Sequence, residues 1–237
     1  MITETFAWLT DPANWSGPNG IPVRLVEHVG ISAASLAIAI VIALPAGMYI
    51  GHTGRGAALA VNLANLWRAL PSLAVIAIVL PITAPIDPQA GFFIYPTAVA
   101  MVVLAVPPIL VNTYAGLRGI DADLVEAGRG VGMSERQLLT GIELPLAVPV
   151  IVAGIRSGAV QVVATSTLGA IFGFGGLGRY IVDGIARFSL GGAAQMLAGV
   201  VLVASLVIAT DLLFALIQRL LTPRAIRAER SVGPTSA

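Results

Sequence analysis

Three charged residues lie in stretches of the sequence that are otherwise apolar: Arg68, Arg156 and Asp211. A charge surrounded by hydrocarbon is costly unless it meets an opposite charge. Counted from the stretch ends near residues 57, 145 and 220, the three charges lie at similar depths, roughly 14–16 Å along a helix. We therefore expect Asp211 to pair with Arg156 or Arg68. The pair would act as a structural clasp, which is the simpler interpretation, or lie beside a translocation path.

A second set of polar residues is concentrated in residues 117–145. Asp123 with Glu126, and Ser134 with Gln137, have the spacing of a capping box, which marks a helix start. The segment is therefore predicted to contain two short helices that form a compact knob.

Glycines mark the expected ends of these helices: Gly130 and Gly132 for the first, Gly141 for the second. Pro145 then begins the next apolar stretch, where its missing N–H costs little. The residues expected to give each helix an apolar side are Leu124, Val125, Val131, Leu138, Leu139 and Ile142. Such a knob either packs only on its own protein or docks a partner.

The elements around these residues are expected to cross a membrane. The 237-residue chain is 57% hydrophobic and 11% charged, whereas soluble domains carry roughly 25% charged residues. Apolar stretches long enough to cross about 30 Å of hydrocarbon as helices cover residues 28–50, 57–81, 92–116, 146–172 and 193–220. We predict an all-α polytopic membrane protein with about five transmembrane helices.

The distribution of arginine predicts the orientation, because inner loops of membrane proteins are enriched in basic residues. With the N-terminus outside, the inner segments carry Arg55, Arg118, Arg129, Arg136, Arg219, Arg224, Arg227 and Arg230, and the outer segments carry Arg24, Arg179 and Arg187. This predicts an N-out, C-in topology with the knob in the cytoplasm. The chain then divides into an extracytoplasmic or interfacial segment (1–23), a transmembrane domain (24–220) and a cytoplasmic tail (221–237).

Several kinds of chemistry are excluded by the sequence. Cysteine is absent, so disulfides and thiolate metal sites are ruled out. No GxxxxGK[ST] phosphate loop occurs, and we expect no catalytic residues, metal or cofactor in this chain. The glycine-rich run at 173–178 (GFGGLG) follows a predicted membrane span, so it is interpreted as a tight external turn before the last span.

The spacing within the knob resembles the EAA loop of the permeases of binding-protein-dependent ABC importers, whose pattern is EAA-x3-G-x9-I-x-LP. The matching residues are Glu126, Ala127, Gly128, Gly132, Ile142, Leu144 and Pro145, with Gly128 in place of the second alanine. In that family the loop is a coupling helix that sits in a groove of the ATP-hydrolysing subunit.

The resemblance implies that Glu126, Ala127 and Gly132 contact that ATPase subunit. The residues that would join the knob to the fourth span are Ile142, Leu144 and Pro145. ATP would then be bound by the partner and not by this chain.

Further stretches resemble the glycine betaine, carnitine and choline branch of these permeases. They are residues 68–72 (RALPS), 112–117 (NTYAGL), 143–151 (ELPLAVPVI), 154–156 (GIR) and 173–178. The resemblance implies import of a small osmoprotectant across the bacterial inner membrane. The alternatives are an importer permease for another small solute of amino acid type, or an ATP-independent secondary carrier.

The resemblance also implies partners: ATP-binding subunits, an extracytoplasmic solute-binding protein and a second permease, either another copy or a paralogue. Quaternary ammonium ligands are usually held by aromatic cages, and the aromatic residues here are thinly spread. We therefore expect high-affinity selection to reside in the binding protein. Polar residues within the spans that could line a path are Tyr49, Asn65, Tyr114 and Thr165.

Overall fold

The computed structural model describes residues 1–68, 70–87 and 89–222, and the regular structure in these ranges is helical. The α-helices are α1 (Ile2–Thr10), α2 (Ile21–Thr53), α3 (Ala57–Arg68), α4 (Ser72–Thr83), α5 (Ala90–Phe93), α6 (Tyr95–Arg118), α7 (Ala122–Gly130), α8 (Glu135–Leu138), α9 (Leu144–Gly169), α10 (Gly178–Ala186) and α11 (Ala193–Leu221). Short 3-10 turns cover Pro12–Trp15, Ala170–Phe172 and Phe188–Leu190, and a π turn covers Leu139–Glu143.

Within the described ranges, four helical stretches are long and apolar enough to cross a membrane. They are Ile21–Thr53, Ala90–Arg118, Glu135–Phe172 and Ala193–Leu221. These stretches contain the first, third, fourth and fifth predicted spans, so the all-α membrane fold is confirmed.

The predicted second span, residues 57–81, is divided into two helices, as its internal proline, Pro71, allows. α3 ends at Arg68 and α4 begins at Ser72, and each contains 12 residues, about 18 Å of helix. Pro71 is the N-cap of α4. Proline has no N–H to continue a helix and disfavours the helical conformation of the residue before it. Neither helix is therefore long enough to cross the hydrocarbon by itself.

α6 is the central helix, because it packs against α2, α9, α3 and α4. The buried residues of the main core are Ala39, Ala43, Met101, Ala105, Val106, Ile109 and Val162. Glycine brings the helices close together. A Cβ on Gly154 of α9 would lie 2.6 Å from the Cβ of Asn112 on α6, and one on Gly47 of α2 would lie 2.7 Å from that of Thr113. Small residues of this kind are typical of packed membrane helices.

α11 is a peripheral helix that contacts α9, α10 and α1. Its most apolar stretch contains no buried residue, as expected for a helix that faces lipid or a second subunit. α1 packs against α11, and the Trp8 ring meets Tyr180 of α10 edge to face, with 5.1 Å between ring centroids. The predicted interfacial segment is thus held against the bundle at the end where α2 begins.

Candidate functional site

The knob begins with a capped helix, α7. The Asp121 side chain is its N-cap and accepts a 2.9 Å hydrogen bond from the Asp123 backbone N–H. The prediction of an Asp123–Glu126 capping box is therefore wrong by two residues. Aspartate is a favoured N-cap residue, so both Asp121 and Asp123 are suitable. Because α7 begins at Ala122, Asp121 is the residue in the N-cap position.

The end of α7 and the start of α8 are as predicted. The Met133 N–H donates to the Gly128 carbonyl at 3.1 Å and the Gly132 N–H to the Arg129 carbonyl at 2.9 Å, which together form a Schellman motif. Gly132 has φ +86°, a left-handed conformation that glycine adopts without strain. Ser134 forms the predicted capping box with Gln137 and starts the second helix.

The second helix does not end at Gly141, so that prediction is wrong. α8 passes through the π turn directly into α9, and Ile142, Leu144 and Pro145 lie within one continuous helical run from residue 135. Pro145 lacks an N–H and crowds the carbonyl four residues before it. In the π turn the Leu144 N–H bonds instead to the Leu139 carbonyl, five residues back. The wider turn lets the helix accommodate proline. The second helix of the knob is thus a direct extension of the fourth span.

The inner side of the knob is closely packed at Gly128. This residue is buried, and a Cβ there would lie 2.6 Å from Leu138 Cδ2 and 3.0 Å from Ile142 Cδ1. Leu138 is fully buried. Gly128 therefore holds the two knob helices together and is not part of the exposed surface.

The outer side of α7 presents an exposed apolar stripe made of Leu124, Ala127 and Val131, which we call the docking stripe. Leu124 is 43% exposed and Val131 is 81% exposed. Residues at i, i+3 and i+7 share one helix face. The sequence predicted an apolar side for the knob that either packs on its own protein or docks a partner, and in the structure Leu124 and Val131 on that side are exposed. Glu126 and Gly132 are also exposed beside the stripe.

An ion pair on the knob surface joins its two helices. The Arg129 Nε and Nη2 atoms each donate a 3.1 Å hydrogen bond to the Glu135 carboxylate, and this contact raises the pKa of the Arg129 guanidinium above its ordinary value. Both side chains are at least half exposed. Solvent screens such a pair strongly, so it fixes orientation more than it stabilises the fold.

Within the bundle, Asp211 of α11 is paired with Arg156 of α9. Arg156 Nε and Nη2 each donate a 2.6 Å hydrogen bond to the Asp211 carboxylate oxygens. The third predicted member, Arg68, has a side chain outside the described residues. Both paired side chains keep about a third of their surface exposed, 33% and 39%, so the pair lies at the edge of the α9–α11 contact and not in the core. Whether it serves as a clasp or lines a path stays a prediction.

The residues suggested for a path lie in different surroundings. Tyr49 is 58% exposed, Tyr114 is partly exposed, and Thr165 is 8% exposed. The side chain of Asn65 lies outside the described residues. The structure does not bring the three described residues together at a polar site, so the assignment stays a prediction.

The glycine-rich turn is fastened to the start of α2. The Gly176 N–H donates to Glu27 Oε2 at 2.7 Å, and Gly173 and Gly176 have positive φ. His28 is fully buried, with Nε2 2.9 Å from the Val163 carbonyl. The run is therefore a turn, as predicted, although α10 lies between it and the last span.

Comparison with known proteins identifies the family. Residues 35–227 match the family described as binding-protein-dependent transport system inner membrane component. The choline transport system permease protein OpuBB of Bacillus subtilis is 35% identical over 204 residues, 86% of this chain and 89% of that protein. The glycine betaine/carnitine/choline transport system permease protein OpuCB of the same organism is 34% identical over 207 residues, 87% and 91% of the two chains.

A solved structure has the same fold. A chain of the MetNI methionine ABC transporter, in an inward-facing conformation, superposes with a TM-score of 0.73 at 25% identity, and covers 90% of this chain and 100% of its own length. The helical bundle, the knob and the family match agree with one another. This chain belongs to the inner membrane permease components of binding-protein-dependent transport systems.

Proposed function

We propose that this chain is the permease subunit of an ABC importer that moves a small quaternary ammonium osmoprotectant such as glycine betaine, choline or carnitine. The observation that carries the proposal is the identity of 35% and 34% to permeases named for these solutes, over nearly their whole length. The chain of the methionine transporter is less similar, at 25%. This difference supports the osmoprotectant branch over an amino acid importer.

The knob is proposed to receive the driving force from a separate ATPase subunit. The docking stripe supports this role, because an apolar patch at an exposed helix corner is typical of a protein interface. The continuity of α8, the π turn and α9 supports it too, because a push on the knob would move the fourth span as one body. In this proposal ATP is bound and hydrolysed only by the partner.

The complete assembly is proposed to contain two permease subunits, two ATPase subunits and an external solute-binding protein. The topology is proposed to be N-out and C-in, supported by the arginine distribution. The exposed apolar side chains of α11, such as Leu212 and Leu216, would face lipid or the second permease.

The solute is tested by uptake into bacteria that lack their own osmoprotectant importers and produce this chain with its ATPase and binding protein. We expect uptake of at least one of labelled glycine betaine, choline and carnitine, and no uptake when the ATPase is inactivated by mutation. Labelled methionine is the matched control and should not enter. Uptake of methionine alone would overturn the choice of solute, and uptake that persists without an active ATPase would identify a secondary carrier.

A further inference from the structure

A buried histidine–glutamate contact connects the end of α2 to the base of the knob. His52 Nδ1 lies 2.6 Å from Glu143 Oε2, and His52 Nε2 lies 3.2 Å from Glu135 Oε2. The side chains of His52 and Glu143 are 14% and 7% exposed, whereas Glu135 is 60% exposed. A hydrogen bond joins His52 Nδ1 and the Glu143 carboxylate. The shielded His52–Glu143 contact is therefore the stronger of the two.

The π turn brings both carboxylates to the same side of the helix. In a regular α-helix, residues eight apart, such as Glu135 and Glu143, are separated by about 80° around the axis. The π turn at Leu139–Glu143 takes up one extra residue, which reduces this angle to about 20°. The π turn therefore favours the arrangement in which His52 faces both carboxylates.

The α2 end of the contact is held firmly. A Cβ on Gly51 would lie 2.9 Å from the Leu117 Cβ, so α2 touches α6 closely one residue before His52. Gly54 ends the helix with φ +71°, and the Arg118 side chain lies over it. His52 is therefore fixed on the membrane bundle, whereas Glu143 belongs to the helix that carries the knob.

The contact also lies directly behind α7, the helix that carries the docking stripe. A cavity of about 200 Å³ is lined by His52, Glu143 and Arg118 together with Glu126 and Arg129 of α7. Among the described residues, His52 joins α2 to the segment from Asp121 to Glu143 through its contacts with Glu143 and Glu135. Displacement of the knob would reach α9 through the helix backbone, and it would reach α2 through the polar contacts of His52 as well as through the apolar packing around Leu117, Ala147 and Ile151.

We propose that His52 and Glu143 form a tie that transmits movement of the knob to α2, so that the first and fourth spans respond together to the ATPase. His52 is a positioning residue in this proposal, which rests on the proposed docking of an ATPase. Breaking the tie should leave the complex assembled and its ATP hydrolysis active, but that hydrolysis should no longer drive transport.

The test uses the complete complex in liposomes, with solute transported per ATP hydrolysed as the readout. His52→Ala is expected to lower this ratio by about tenfold or more, the loss that corresponds to one charge-assisted hydrogen bond. The ATPase should co-purify in unchanged amount. Glu143→Ala should have the same effect, and the double variant should be no worse than either single variant, because the two residues act as one unit.

Two conservative variants separate transmission from general packing. His52→Asn places an amide donor near the Nδ1 position and should restore most of the ratio, whereas His52→Gln places its donor near Nε2 and should not. If the complex with His52→Ala fails to assemble, the comparison of His52→Asn with His52→Gln tests the tie by itself. An unchanged ratio in His52→Ala, or equal ratios for the Asn and Gln variants, would overturn the tie. Absence of ATPase binding by the unmodified chain would instead overturn the proposed function.

Discussion

Replacing Val131 with Asp is expected to separate this permease from its ATPase while leaving the membrane bundle intact. Val131 is 81% exposed at the corner of the knob, so the fold loses little when it is changed. Full burial of a valine contributes about 1.5–3 kcal/mol, and a carboxylate in its place adds a desolvation cost. Since 1.4 kcal/mol is tenfold, we expect affinity to fall roughly 100-fold. The measurement is the amount of ATPase that co-purifies with the tagged permease.

Leu190→Asp is the matched control, because Leu190 is 84% exposed, near the opposite end of the bundle. The substitution adds the same charge to a similarly exposed apolar position. We expect this variant to bind the ATPase normally. Equal ATPase recovery with Val131→Asp and the unmodified chain would contradict the assignment of the docking stripe.

The second large effect is expected at the pair between α9 and α11. Asp211→Ala leaves Arg156 without its carboxylate in an apolar region, where an unpaired charge is costly. We expect most of the folded protein extracted in detergent to be lost and its thermal transition to fall. The exchanged variant Arg156→Asp/Asp211→Arg should recover much of both, because the bidentate contact can re-form in reverse. The measurement is thermal unfolding monitored by size-exclusion chromatography.

Gln218→Ala provides the comparison, because Gln218 Nε2 donates a 2.8 Å hydrogen bond to the Pro149 carbonyl in the same helix contact. It removes a neutral hydrogen bond, worth about 0.5–1.5 kcal/mol, and should have a mild effect. If Asp211→Ala has the same thermal transition as the unmodified chain but transports no solute, the Arg156–Asp211 pair is part of the path and not a clasp.

The membrane fold could be predicted because long apolar runs have few physical alternatives. For the second span, the sequence indicated that Pro71 bends or breaks the helix, but not that it separates two short helices. Within the knob, Gly132 and Ser134 were predicted correctly, because caps depend on local spacing. Asp121 and Asp123 are the same residue type, so local sequence does not show which of them is the N-cap. The structure has Asp121 in that role, because α7 begins at Ala122.

Features that depend on tertiary contacts were the ones missed. The helix continues through Gly141 because the π turn accommodates Pro145. The sequence left open whether the apolar side of α7 packs or stays exposed, and Val131 faces outward because Gly128 occupies the packed side. His52 and Glu143 are 91 residues apart in sequence, and neither belongs to a pattern that predicts the other. In contrast, the pairing of Asp211 with Arg156 could be anticipated, because depth in the membrane restricts which charges can meet.

The docking of the ATPase on the knob can be tested most directly by cross-linking at Val131. The chain contains no cysteine, so Val131→Cys introduces a single thiol. In membranes that contain the ATPase subunit, with single cysteines along its transmembrane-facing groove, we predict a disulfide-linked permease–ATPase product. Leu190→Cys, near the opposite end, should give none. Cross-linking from Leu190→Cys, or its absence from Val131→Cys with every groove cysteine, would contradict the proposed coupling.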